Sequence, residues 1–532
     1  MGVLEPPGRQ LADRPHSPRL PAALAHAVLP TGAPGMITRF SVAMTNSVAL
    51  RLNEHLRRAD GQEECTFLLW RPSTGSRRTT ALIVDLVLPD DGDRIVHGTV
   101  DFTSEYFLRA AGLAAARGCG LAFTHAHPRG RRWQRLNGID YAAEESFAAQ
   151  TITITGLPLV GMTFAGADAR YGARVWQRHA PRTYIPTEAE NVRVVGDRFT
   201  VTFNDTLLPP PEATNRQVRT VSAWGTDTQN DLARLHVGVV GTGSVGMLIV
   251  EALARTGFQN LSLFDFDTVE ELNLDRLLHA TDRDVRLHRA KVDIAARAAQ
   301  RSATGGSIRV ATYESSVVEP DGFAAAADCD LLFSCVDRPW PRAALNLLAN
   351  AHLIPVVDGG ISVDARGGRL RGAEWRAHVA TPGRACLECL GQYDPAHVPV
   401  ERDGLLDDPS YITGLSADHP LRRKENVFIF SANAAAAQLN QFLTMVTAPS
   451  GIADTGAHLY HLTTGTVDYR LDGCDSGCPY DGQLRALGDH TPVDITGRHH
   501  VAEQARAGRQ HAARRWPARL QRGIDDWLNR YR

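Results

Sequence analysis

The sequence predicts an α/β protein of two globular units, and three observations carry that reading. At 532 residues the chain is longer than a single hydrophobic core supports. Apolar strand-like runs alternate with amphipathic helical stretches in both halves. Between the halves the run PPPE, beginning at Pro209, breaks both patterns and marks a boundary. The expected organisation is a disordered tail over 1–35, a first unit over 40–175, a β segment and linker over 176–214, a second unit over 215–480, and a basic helical tail over 481–532. Met36 or Met44 offers an internal start.

In the first unit, TALIVDLVLP and GCGLAFTHAH read as strands, with EYFLRAAGLAAARG as the amphipathic helix between them. YAAEESFAAQ reads as a helix behind the second strand. The second unit opens with HVGVVGTGSVGMLIVEALARTG, a strand, a glycine turn and a helix. LSLFDFD, SIRVATY, DLLFSCVD and IPVVDGG then alternate with helical segments, which predicts a mostly parallel, Rossmann-like sheet. The arginine- and alanine-rich end, HVAEQARAGRQHAARRWPARLQRGIDDWLNRYR, reads as a solvated or docking helix.

Composition excludes several classes. Apolar residues are 43% and charged residues 22%, and the net charge is −2, so no nucleic-acid or membrane partner is expected. No apolar run approaches the eighteen or so residues of a membrane span. Of the eight cysteines, Cys65, Cys119, Cys329 and Cys335 are scattered in apolar runs, while Cys386/Cys389 and Cys474/Cys478 form two close pairs. That pattern suits a reduced, cytoplasmic protein with one structural zinc site better than disulfides.

Gly241, Gly243 and Gly246 form G-T-G-S-V-G between strand and helix. The first glycine permits the tight turn, the second lets backbone approach a phosphate, and the third packs helix on strand. Asp265, ending the next strand, stands where a ribose-binding carboxylate is expected; the turn alone fits NAD as readily as ATP. The continuation LFDFDTVEELNLDRLLH decides between them, because it resembles the D-x-D-x-V…N-L-x-R signature of the ThiF/MoeB/HesA adenylating enzymes. Asp265, Asp267, Val269, Asn273 and Arg276 fill that signature. The resemblance runs from about Asn215 to Met445. It implies ATP and Mg²⁺, with Asp265 on the ribose, Asn273, Arg276 and Lys291 on the phosphates and Asp337 on the magnesium. Arg342 and Asn346 continue the pattern. It also implies a homodimer lending an arginine across its interface, for which Arg216 or Arg219 is the candidate. The departures are Leu277 where a glutamine is usual and Arg289 where a glycine is. The same superfamily carries a two-pair zinc site at Cys386, Cys389, Cys474 and Cys478, although its second pair lacks the extra residue found here. No cysteine lies between Cys389 and Cys474, where ubiquitin-activating enzymes hold their thioester nucleophile.

The stretch FTHAHPRGRRWQRLNGID sets His125 and His127 on one side of a strand. With Pro128 and Asp140 it resembles the H-x-H-P…S-x-x-D element of the JAB/MPN (JAMM) metallopeptidases over about Val48 to Val175. The resemblance implies a catalytic zinc on His125, His127 and Asp140, with Glu63, or alternatively Glu64, as general base. Asn137 replaces the usual serine as oxyanion donor, Thr66 replaces a glycine, and the spacing to Asp140 is two residues longer than usual.

Together the two resemblances imply a bifunctional enzyme that adenylates the C-terminus of a small ubiquitin-like or sulfur-carrier protein ending in Gly-Gly. The first unit would cleave after that terminus, leaving product near the second site for a conjugating enzyme or sulfur donor. Two alternatives stand beside this reading. One is a sulfur-transfer or small-molecule activator whose first unit only binds; the other is an NAD-dependent oxidoreductase with a structural zinc.

Overall fold

A computed structural model describes residues 39–97, 99–407, 425–514 and 516–530; the expected tail over 1–35 lies outside them. The first unit contains β1 (Arg39–Thr45), β2 (Cys65–Thr74), β3 (Arg78–Val87), β4 (Arg94–His97), β5 (Thr99–Phe102), β6 (Gly120–His127) and β7 (Leu159–Ala165). It continues through β8 (Arg170–Ala180), β9 (Thr183–Glu188), β10 (Asn191–Val195) and β11 (Thr200–Phe203). All but β4 and β5, which pair with each other, form one nine-stranded sheet in the order β11-β10-β1-β3-β2-β6-β7-β8-β9.

The boundary expected at 175 therefore moves. β10 pairs in parallel with β1, and β9 and β11 form the two edges of the same sheet, so the residues expected as a separate β segment complete the first unit. Short, half-polar strands such as Thr200–Phe203 carry little periodicity, and the distant partner that stabilises them is invisible in a local reading. The proline run follows that last strand.

The second unit holds β12 (His236–Val240), β13 (Asn260–Phe264), β14 (Arg309–Tyr313), β15 (Leu331–Ser334), β16 (Val356–Arg366), β17 (Arg369–Ala380), β18 (Ala457–His461) and β19 (Thr466–Arg470). Their order is β14-β13-β12-β15-β16-β17-β18-β19. The first five strands are parallel, as the alternation of strands and helices requires. The last three form an antiparallel meander that the sequence reading missed. The central strand β12 is buried on both faces: Val237 and Val239 enter one core and Val240 enters another.

The two units share a core. Ala43, Leu82, Val195 and Phe199 of the first are continuous with Leu235, Val237 and Met445 of the second. Beside it lies a buried ionic seam in which Asp330 accepts from Arg78 at 2.6 Å and from Arg193 at 2.9 Å. Its second oxygen accepts from the His236 backbone N–H at 3.0 Å. Two guanidiniums and an amide satisfy this carboxylate, which is the condition for burying it. Part of the expected tail is a strap rather than a tail. Asp489 binds the backbone N–H of Thr74 at 3.0 Å, and a Cβ at Gly488 would collide with the Pro72 carbonyl. Beyond it lie the helices His500–Arg514 and Trp516–Arg530.

Candidate functional site

The second unit gathers its phosphate-binding candidates at the C-terminal ends of its parallel strands. Gly241 follows β12 with φ +89°, and a Cβ there would stand 2.5 Å from the Cys335 carbonyl oxygen. Only glycine meets both demands cheaply. At Gly246 a Cβ would strike the Gly241 carbonyl, whereas at Gly243 it would meet nothing within 4 Å. That open backbone begins the helix Ser244–Thr256, whose first amides are free to receive an anion. Asp265 closes the turn by accepting from Thr242 N–H at 2.8 Å and from Asp267 N–H at 2.9 Å.

Lys291 begins the helix Lys291–Ser302, and its Nζ donates to Asp267 Oδ2 at 2.7 Å. Burial pulls its pKa down, but Asp265, Asp267 and Asp337 outweigh that and hold the ammonium above its ordinary range. Lys291 is thus a fully charged, half-sheltered cation facing three carboxylates. Asp337 sits exposed on the loop after β15. Asn273 and Arg276, by contrast, have local partners. Asn273 accepts from Glu270 N–H at 3.0 Å, and Arg276 donates to Leu272 O and Asp275. The structure therefore brings together Asp265, Asp267, Lys291 and Asp337, and leaves Asn273 and Arg276 on the neighbouring turn. Arg342 is turned onto buried Asp358, beside Arg376, and Asn346 is buried where its Oδ1 accepts from Leu387 N–H at 3.0 Å. Arg216 and Arg219 are exposed, and the helix Val218–Trp224 next to them buries no residue.

Sequence reasoning missed Glu401. This buried carboxylate accepts from Trp340 N–H at 2.8 Å and so caps the helix Pro339–Ala351, which starts two residues after Asp337. Burial pushes its pKa up to about 7, against the pull of Trp340 N–H and Arg338. A carboxyl raised above its ordinary value stabilises the fold at low pH, and that stability is lost as pH rises toward about 7. Glu401→Gln is therefore expected to be more stable than the parent at pH 8, with the advantage vanishing below about pH 4.5. Urea denaturation across that range measures it; parallel pH profiles would refute the assignment.

Cys386, Cys389, Cys474 and Cys478 place all four sulfurs within 4.8 Å of one another. The Cys386 and Cys478 sulfurs are 3.7 Å apart, far beyond a disulfide bond. Backbone N–H groups point at the cluster: Cys386 at Cys474 Sγ, Cys389 at Cys386 Sγ and Asp475 at Cys389 Sγ, at 3.2, 3.5 and 3.3 Å. Such donors stabilise thiolates, and the donor set fits a tetrahedral zinc. The extra residue between Cys474 and Cys478 is absorbed in a turn without spoiling the convergence.

In the first unit His125 and His127 end β6, their Nε2 atoms 3.2 Å apart. Asp140 Oδ2 lies 3.4 Å and 3.5 Å from them. That oxygen is buried without a hydrogen-bond partner. Three donor atoms aimed at one point, one of them orphaned, fit a divalent cation with nitrogen and oxygen ligands. Burial works against the Asp140 carboxylate, yet the two histidines hold its pKa below the usual range. Asn137 caps the helix Gly138–Thr155: its Oδ1 accepts from Ile139 and Asp140 N–H at 2.8 and 2.9 Å. The cap fixes Asp140 in the first helical turn and leaves the Asn137 amide nitrogen as a donor.

The choice between Glu63 and Glu64 follows from register. Cys65 pairs with His125 across β2 and β6, and Ala126 N–H donates to Glu64 O at 2.8 Å. Continued one step, the register sets Glu63 opposite His127 and on its face. Burial raises the Glu63 pKa, while His125 and His127 oppose it. Glu64 faces the other way and is buried in ion pairs with Arg58 at 2.9 Å and Arg94 at 2.7 Å.

Residues 214–412 match the ThiF family. This region is a ThiF/MoeB-like domain. Its relatives include ubiquitin-like modifier-activating enzyme 5 of Drosophila willistoni, 30% identical over 166 residues, which cover 29% of this chain and 38% of that protein. The Drosophila melanogaster protein of the same name is 26% identical over 217 residues, covering 38% and 50%. The chain thus spans 38% to 50% of the length of these relatives. Among solved structures, Escherichia coli MccB with ATP aligns at 17% identity and a TM-score of 0.39, over 51% of this chain and 75% of MccB. Among the described residues no helix is long and apolar enough to cross a membrane.

The two units meet at several places: besides the Asp330 seam, Arg384 donates to the Asp197 carbonyl and Arg132, in the loop after the histidines, pairs with Asp227 at 3.5 Å. The ThiF-like domain meets the first sheet through His236, Asp328 and Asp330, at the N-terminal ends of β12 and β15, while its glycine turn lies at the opposite ends. In the first unit, Ser73 contacts His352 near one end of β2, and Cys65, beside His125, begins the other. Those residues are about 26 Å apart at ~3.3 Å per residue.

Proposed function

We propose that the ThiF-like domain adenylates the C-terminal carboxylate of a small ubiquitin-like or sulfur-carrier protein, and that the first unit is a zinc-dependent peptidase acting on the same class of protein. The observation that carries the first part is the convergence of Gly243, Asp265, Lys291 and Asp337 on one end of the sheet. ATP would lie with its ribose on Asp265 and its phosphates over the open glycine turn. Lys291 would exchange Asp267 for phosphate oxygens and neutralise the charge that builds on the departing pyrophosphate. The substrate carboxylate oxygen attacks the α-phosphorus, the bond to pyrophosphate breaks, and an acyl-adenylate remains. Asp337 is the residue that would hold Mg²⁺. A second copy could lend Arg216 or Arg219, since the helix beside them is exposed. The named relatives, ubiquitin-like modifier-activating enzymes, support the substrate class.

In the first unit His125, His127 and Asp140 would hold zinc, which supplies Lewis acidity and an acidified water. Glu63 is placed to act as the general base, taking a proton from the attacking water and passing it to the leaving amine, were zinc bound there. The Asn137 amide donates to the carbonyl oxygen as it gains charge.

Exchange of labelled pyrophosphate into ATP tests the adenylation. It is expected to require a protein ending in Gly-Gly. Exchange supported by a small carboxylate alone would transfer the reading to a small-molecule activator, and nicotinamide binding without exchange would replace it.

A further inference from the structure

The loop that follows the histidine pair carries four arginines, Arg129, Arg131, Arg132 and Arg135, in a chain whose net charge is only −2. It is held in place. Gly130 N–H donates to His127 O at 2.9 Å and Ala167 N–H to Gly130 O at 3.1 Å. Arg132 N–H donates to Asp168 at 2.8 Å and Trp133 Nε1 to Glu188 at 3.2 Å. A Cβ at Gly130 would stand 3.0 Å from His127 Cβ, so the loop backbone packs against the histidine itself. Two of the four cations are engaged: Arg132 pairs with Asp227 at 3.5 Å and Arg135 bonds Thr206. Arg129 and Arg131 flank Gly130, are exposed, and have no hydrogen bond or ion pair from their guanidiniums among the described residues.

We infer that Arg129 and Arg131 form a binding surface for acidic side chains of the protein substrate, next to the bond presented to His125, His127 and Asp140. This rests on the peptidase reading above. A loop already fixed at Gly130 gives up little backbone entropy on binding, and two unpaired guanidiniums suit carboxylates in bidentate geometry. A nucleic acid fits less well. Asp168, Asp227 and Glu188 lie around the loop and would repel a continuous phosphate backbone, whereas isolated acidic side chains can avoid them.

The test uses the full-length, zinc-loaded chain with Glu63→Gln to keep substrate uncleaved. Anisotropy compares a labelled Asp/Glu-rich peptide with its Asn/Gln counterpart, with and without Arg129→Ala plus Arg131→Ala. Both arginines are exposed, so circular dichroism should be unchanged. The acidic peptide is expected to bind about 3- to 10-fold more tightly at low salt, and the double variant to lose that preference. Equal binding of the two peptides, a preference that survives the double variant, or tighter arginine-dependent binding of a single-stranded oligonucleotide would overturn the inference. Failure of the peptidase reading is separately visible: arginine-dependent binding by a chain that, without the Glu63 change, cleaves nothing sinks the hydrolysis and leaves the surface standing.

Discussion

Lys291→Ala is expected to slow ATP–pyrophosphate exchange by about 10²- to 10³-fold, chiefly in kcat. The ammonium touches Asp267 at 2.7 Å, and three carboxylates keep it charged. Its favourable interaction grows as negative charge gathers on the pyrophosphate oxygens, so its loss is felt most in the transition state. Lys291→Arg is expected to restore little, because a planar fork cannot replace a compact point charge beside Asp265 and Asp267. The alanine variant removes a side chain whose burial is carried by Val292, Ile294 and Ala295 behind it, so the fold should persist. An exchange rate within about twofold of the parent, measured on folded protein, would remove Lys291 from the site.

How much of this was legible in the sequence depends on whether a local pattern or a distant contact made the feature. The parallel strands β12, β13 and β15 were readable because double-sided burial demands continuous apolar runs such as HVGVV and LLFS. The glycine turn was readable because φ +89° and a carbonyl 2.5 Å away leave one residue type. The boundary at 175 was misplaced because β10 owes its existence to β1, nearly 150 residues earlier. Arg289, which departs from the family pattern, pairs with Asp525 at 2.9 Å on the C-terminal helix, a contact no spacing rule shows. Leu277 simply enters the core. Asn346 was read as part of the nucleotide pattern, yet it ties its helix to the backbone beside Cys386. Glu401 carried no signal at all, since its partner is a backbone amide.

Glu63→Gln is expected to lower cleavage of a tail-extended ubiquitin-like protein by about 10²- to 10⁴-fold, with little change in KM or in bound zinc. The glutamine keeps the shape and one acceptor but cannot take a proton. Glu64→Gln is expected to behave differently, costing stability rather than chemistry. It would leave the Arg58 and Arg94 guanidiniums facing a neutral amide in a buried setting. Thermal denaturation and turnover, measured on both variants, separate the two roles; equal activity losses at equal stability would undo the register argument. The topology adds a sharper condition. Because the two candidate sites share no residue, Glu63→Gln should leave pyrophosphate exchange unchanged, and Lys291→Ala should leave cleavage unchanged. A tail that passes between the sites through solvent would make any coupling between the two reactions sensitive to dilution by excess free tail protein. Coupling that resists such dilution would mean that the tail is handed from one site to the other without release.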